Sequence, residues 1–180
     1  MEVRRVVTGH DSAGKAVFVS DSSVAPIVPS LLPGNEFHRL WGGDVTPRFP
    51  DDGSQPEAVQ YFPPVGGFRF GFFTIPPDGG AGAPPDLDFA AAMAEFEEKL
   101  PGLAGHMEPA DPGMHTTATI DFEVVLQGSV GLELDDGAKV TLGVGDTVVQ
   151  NGTRHRWSNA GTEPAVLAVF ICGAQHDRVG

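Results

Sequence analysis

Between residues 113 and 172 a turn signal interrupts the chain every eight to ten residues, and each gap holds a short run of β-forming side chains. Strands are expected over 121–127, 130–134, 139–142, 147–150 and 165–171. Asp135-Asp136-Gly137 supplies a tight hairpin between two of them, and Gly143-Val144-Gly145-Asp146 a second turn. Antiparallel strands this short bury an apolar face only by closing into a sandwich or barrel. The fold class is therefore all-β. The 24 Gly and 16 Pro are scattered over all 180 residues, so frequent turns extend through the remainder and leave little room for long helices.

The N-terminal part carries β-like runs at 3–7, 16–19 and 36–41, then a loop rich in Pro, Gly and Asp over 42–66. Residues 68–75 form a strong strand whose alternation puts Phe68, Phe70 and Phe72 on one face and Phe73 and Ile75 on the other. A second Pro/Gly-rich segment, 76–85, reads as a mobile loop. Asp86 or Asp88 then caps a helix over 89–100 that ends at Pro101-Gly102. Phe89, Met93, Phe96 and Leu100 fall on one helical stripe, which is expected to pack on the barrel; the sharper alternative is a lid over its mouth. A chain of 180 residues suffices for one buried core. We read 1–180 as a single domain: strands and loops over 1–75, loop and helix over 76–112, and the strand-rich core over 113–172.

A formal net charge of -13 repels phosphate backbones and anionic lipid, which makes nucleic acid and membrane surfaces poor partners. No apolar run reaches membrane-spanning length, and Met1-Glu2-Val3-Arg4-Arg5 lacks the apolar core of a secretion signal. The single cysteine, Cys172, excludes an internal disulfide framework and a cysteine zinc cluster, and it is expected to be a small buried residue. A cytoplasmic location follows as the expectation.

Two stretches carry the chemistry. The first runs from Gly113 through His115, Asp121 and Glu123 to Gly128; the second runs from Gly145 through Gly152 and His155 to Asn159. Together they resemble the two motifs of the cupin superfamily. Gly145, Gly152, His155 and Asn159 match the second motif, with Gln150 in place of its usual proline. In the first motif His115 matches the first histidine, Asp121 stands where the family carries glutamate, Gly128 closes the motif, and Thr117 occupies the second histidine position.

The resemblance implies a double-stranded β-helix, the cupin jelly-roll barrel, with an N-terminal strand extension and one short helix. It also implies His155 as a metal ligand, and a homodimer in which an N-terminal strand pairs with the neighbour; the runs at 3–7 and 16–19 suit that exchange.

The residues themselves agree. Positions 115, 117, 119, 121 and 123 share one face of a strand, so His115, Asp121 and Glu123 can all point into the barrel. A buried acid there is costly unless it is paired or binds a metal. Two imidazoles and a carboxylate on facing strands make a 2-His-1-carboxylate set suited to Fe(II) and oxygen, which Mn(II), Ni(II) or Zn(II) also occupy. Glu123 is then a general base, with an outward surface charge as its plain alternative. Gln127 and Gln150 are expected as solvated strand positions, Trp157 as core, and His106 and Glu108 as solvated loop residues.

Two functions follow from different classes. One is a metal-dependent enzyme, dioxygenase-like or isomerase/lyase-like, acting on a small aromatic or carboxylated metabolite. The other is a metal-free small-molecule-binding module, which Thr117 in place of a histidine favours.

Overall fold

A computed structural model describes residues 1–79, 82 and 84–179, so part of the 76–85 segment (residues 80, 81 and 83) lies outside the described residues. The strands are β1 (Val3–His10), β2 (Ala16–Val24), β3 (Glu36–Gly43), β4 (Phe68–Ile75), β5 (Thr119–Gln127), β6 (Ser129–Glu133), β7 (Lys139–Gly143), β8 (Thr147–Asn151), β9 (Arg156–Ser158) and β10 (Ala165–Gly173), with one α-helix, α1 (Phe89–Lys99). A five-stranded sheet runs β3-β4-β10-β5-β8, a three-stranded sheet runs β7-β6-β9, and β1 and β2 form a separate hairpin. All pairings between these strands are antiparallel. The two larger sheets close on each other through one apolar core: Ile75, Val125 and Leu167 from the first, and Val130 with the packed Leu142 and Trp157 from the second. This is the all-β jelly roll.

Three rows of inward residues cross the five-stranded sheet. The first, Phe37, Phe73, Leu167 and Val125, is wholly apolar. The second is Arg39, Gly71, Val169, Glu123 and Val148; the third is Gly42, Arg69, Ile171, Asp121 and Gln150. Polarity therefore rises along the barrel from one end to the other. Register between Arg39 and Trp41 slips by one residue, a bulge at the sheet edge. There a Cβ on Gly71 would sit 2.5 Å from the His38 carbonyl oxygen, so only glycine lets the two strands approach.

Asp88 caps α1 by accepting from the Ala91 N–H. The helix buries Ala92 and Phe96, and Leu100 follows at its C-cap. Phe96, Leu100 and Leu103 pack on Phe37, with Tyr61, Phe62 and Phe73 alongside, so the helix is part of the core. Phe89, expected on the buried stripe, is 67% exposed, and Ala92 takes its place one turn on. The short strand β9 was not visible in the sequence, because Arg156-Trp157-Ser158 has neither the length nor the alternation of an independent strand; pairing with β6 makes it one. The 135–137 turn forms as expected, with Asp136 and Gly137 both at positive φ (57° and 73°) between β6 and β7. Among the described residues no helix is long and apolar enough to cross a membrane.

The outward face of the five-stranded sheet is apolar as well. Phe70, Phe170, Phe122 and Val149 form one cross-strand row, with Phe170 at 40% and Phe122 at 44% exposure. Cys172 stands on this face, half-buried rather than buried.

Candidate functional site in the barrel interior

His115 precedes β5 and pairs with His155 through two backbone hydrogen bonds of 3.0 Å each. Their rings lie 4.2 Å apart between centroids. The Nδ1–H of His115 donates to the Gly113 carbonyl at 3.0 Å, and that of His155 to the Thr153 carbonyl at 2.9 Å. This fixes the tautomer, leaving each Nε2 as a lone-pair donor. Burial, then the neighbouring His115, pushes His155 down to about 4; burial likewise lowers His115. Both rings are neutral near pH 7.

Gln150 secures this corner. It is buried, and its Nε2 donates to the Thr153 carbonyl at 3.0 Å and to the Thr153 hydroxyl, so the expected solvated position is in fact a support for His155. Outside the barrel, Arg154 pairs with Glu108, Asp111 and Asp135, and Arg156 with Asp111 and Glu133, which ties the 108–111 loop to the strand carrying His155. Glu108 is thus an ion-pair partner, while His106 packs edge-on to Phe62.

Asp121 and Glu123 point inward as the alternation requires, 4% and 8% exposed. Asp121 Oδ1 and Glu123 Oε2 have no hydrogen-bond partner. Burial pushes Asp121 up to about 6. Burial, with the adjacent Asp121 charge, pushes Glu123 up to about 8. A pair of buried acids with separated affinities is the usual arrangement for one proton donor and one acceptor.

The expected metal set is only partly assembled. His115 and His155 come together, and Asp121 and Glu123 come together. Yet among the described residues no three His, Cys, Asp or Glu side chains form a group able to hold a metal. The donor chemistry of the histidines fits a divalent metal at two positions; Asp121, as placed, does not complete the set. The reason lies in spacing. Asp121 stands six positions after His115, up to about 20 Å of extended chain. The closer position, 117, holds a threonine whose hydroxyl is taken up by Thr119 at 2.7 Å.

Three further residues join the interior that sequence reasoning did not select. Tyr61 arrives on the loop after β3, edge-on to Phe37 at 5.9 Å between centroids, while Phe37 stacks on Phe73 at 4.8 Å. Burial and the charge of Asp121 raise the Tyr61 phenol far above its usual range, so it remains a neutral donor. Arg39 and Arg69 come from the two polar rows. Together these residues line a cavity of about 310 Å³ at the β3 edge, with Val169 and Ile171 as its floor. An inward arginine in a strand is a legible signal; a tyrosine delivered by a 24-residue connection between Gly43 and Phe68 is not.

Two facing antiparallel sheets, with paired histidines at one corner and carboxyls inside, define a jelly-roll barrel with a polar interior. A family model described as the cupin domain matches residues 105–172. Phomopsin biosynthesis cluster protein C' of Diaporthe leptostromiformis is 30% identical over 169 residues, covering 93% of this chain and 76% of that protein. The chain belongs to the cupin superfamily. It is also similar to the cupin-domain-containing oxidoreductase srdD of Neurospora crassa, 33% identical over 86 residues that cover 42% of this chain and 44% of that one. Among solved structures, the cupin domain of Schizosaccharomyces pombe Cnp3 is 14% identical with a TM-score of 0.46, over 96% of this chain and 87% of that one.

Proposed function

We propose that this cupin is an enzyme that moves a proton on a small metabolite inside the barrel, with Asp121 and Glu123 as the acid–base pair. The observation that carries the reading is the adjacent pair of buried carboxyls, each with an oxygen lacking a partner. Such groups cost several kcal/mol to bury, and a bound substrate offsets that cost by supplying the missing partner. Near pH 7 Asp121, at about 6, is mostly ionised and accepts a proton from a carbon beside a carbonyl. Glu123, at about 8, holds its proton and gives it to the carbonyl oxygen, forming an enol; the reverse steps restore both groups. Glu123, expected from sequence as a base, therefore enters as the acid because of its burial beside Asp121. The relatives' printed names, biosynthesis cluster proteins and an oxidoreductase, support a role in small-metabolite chemistry.

Phenylpyruvate in D₂O tests this, because exchange of its protons beside the carbonyl is read directly by NMR. The protein should catalyse exchange, and Glu123→Gln should slow it by roughly 10²- to 10⁴-fold. No catalysed exchange by the parent protein, or an undiminished rate in the variant, sinks the assignment.

A second reading rests on the anchored Nδ1 atoms of His115 and His155. These two side chains would hold a divalent metal, which supplies a Lewis acid when bound. Elemental analysis should find about one metal per chain in the untagged protein and a loss of it in His155→Ala; no metal after incubation with Fe(II), Mn(II), Ni(II) and Zn(II) removes this reading.

For assembly we propose a homodimer. The row Phe70, Phe170, Phe122 and Val149 carries no charge in a chain of net -13, so this is a face on which two copies meet without repulsion. Five strands at about 4.8 Å spacing and about 20 Å length present roughly 500 Å², short of the roughly 800 Å² per partner of a stable interface. The β1–β2 hairpin, with Phe18 81% exposed, supplies the remainder. Sedimentation should report a dimer that Phe122→Asp converts to monomer; a monomeric parent overturns the assignment.

A further inference from the structure

Arg39 and Arg69 stand side by side in the cavity yet differ in one respect. Arg69 is fully used: Nε donates to the Gln60 carbonyl at 3.0 Å, Nη1 to the Gly43 and Phe68 carbonyls, and Nη2 to Asp44 at 2.5 Å and Gln60 at 2.8 Å. It is a structural clamp on the loop. Arg39 donates only from Nη2, to the Ala58 and Gln60 carbonyls at 3.0 and 3.3 Å. Among the described residues its Nε and Nη1 have no acceptor and no carboxylate pairs with it. The chain holds 24 acidic residues against 11 basic ones, so an unpaired, half-buried guanidinium is not for want of partners.

We infer that Arg39 is the anchor for the carboxylate of an aromatic substrate, a deepening that rests on the proton-transfer reading above. Both two-donor edges of the guanidinium include the occupied Nη2, so Nε–H and Nη1–H, which lie on different edges, each offer a carboxylate one charge-assisted hydrogen bond. Beside it the stacked Phe37 and Phe73 and the edge-on Tyr61 form a wall for a flat ring. Charge decides between anions. A guanidinium without a carboxylate partner suits a monoanionic carboxylate and disfavours a dianionic phosphate, which needs more than one positive partner. Arg39 also shares a cross-strand row with Glu123: Arg39, Gly71, Val169, Glu123. Three strand spacings, about 14 Å between Cα atoms, separate the two ends. Glycine at the second position leaves the space beside Arg39 without a side chain. A molecule anchored at Arg39 has to extend past Val169, along the cavity that Tyr61 and Val169 also line, to bring its far end to the acids.

The test is binding of 3-phenylpropanoate, which lacks a ketone and undergoes no proton transfer, measured by calorimetry beside the neutral 3-phenylpropanamide. The parent should bind the acid at least tenfold more tightly than the amide. Arg39→Gln should weaken the acid by roughly tenfold to a hundredfold and leave the amide unchanged, with Arg39→Lys in between. Equal affinity of the parent for acid and amide, or no binding of either, overturns the proposal even if a variant fails to fold. Binding of the acid lost in Arg39→Gln, but with no phenylpyruvate exchange in the parent, upholds the anchor and removes the proton-transfer reading instead.

Discussion

Raising the pH from 6.5 to 8 should destabilise the metal-free protein by about 2 kcal/mol, at roughly 1.4 kcal/mol per pH unit for one proton. Glu123 has its folded-state affinity raised from 4.5 to about 8, so the unfolded chain ionises it long before the folded one does. A raised folded pKa gives stability that is complete below the unfolded value and is lost as pH climbs to the folded one. Asp121 adds to the loss only up to about pH 6. His155 acts in the opposite sense: its folded value, about 4, lies below the ordinary 6.5, so stability rises with pH across that interval and partly masks the carboxyls. Above 6.5 the histidines are neutral in both states and Glu123 stands alone among these groups. Urea denaturation of chelator-treated protein at a series of pH values should show the fall, and Glu123→Gln, which keeps the shape of the protonated acid, should flatten it. A flat profile in the parent would mean that the carboxyl is hydrated or paired, and would remove the physical basis of its proposed role.

Asn159→Ala should cost about 3 kcal/mol, a large stability loss for a single polar substitution. The side chain is fully buried. Its amide nitrogen donates to the Ile75 carbonyl at 3.0 Å and to the Glu163 carbonyl at 2.9 Å, and its oxygen accepts from the Gly161 N–H at 2.9 Å. Truncation strands the buried Ile75 carbonyl at the end of β4 and removes two part-buried bonds in the turn that leads into β10. Thermal unfolding with a chemical-denaturation check would measure it. A loss below 1 kcal/mol would show that water enters to replace the amide.

Much of this was legible before folding. Period-2 alternation is a property of a strand alone, so the inward positions 119, 121 and 123 and the two faces of residues 68–75 were readable from residue types, whereas 115 and 117, expected on the same strand face, lie before β5 begins. Glycine and aspartate marked the 135–137 turn because positive φ excludes most other residues. The conflict of an acid within an apolar strand singled out Asp121. Gln150 misled because a lone glutamine in a strand says nothing of its face until its neighbour across β5 is known. Phe89 misled because a stripe read at helical period does not state where the buried arc begins.

Local residue patterns identified an all-β chain, its turns and which side chains of β5 face inward, since each depends on contacts only a few residues apart; the jelly roll and the motif histidines came from the resemblance to the cupin family. Tertiary structure alone decided which of those side chains share a site. Sheet register put Arg39 in the row of Glu123 and Asp121 in the row of Gln150. A long connection carried Tyr61 against Phe37. Five intervening residues kept the histidine pair from forming a three-ligand group with Asp121. Those outcomes depend on closing loops of tens of residues, and no local preference encodes them.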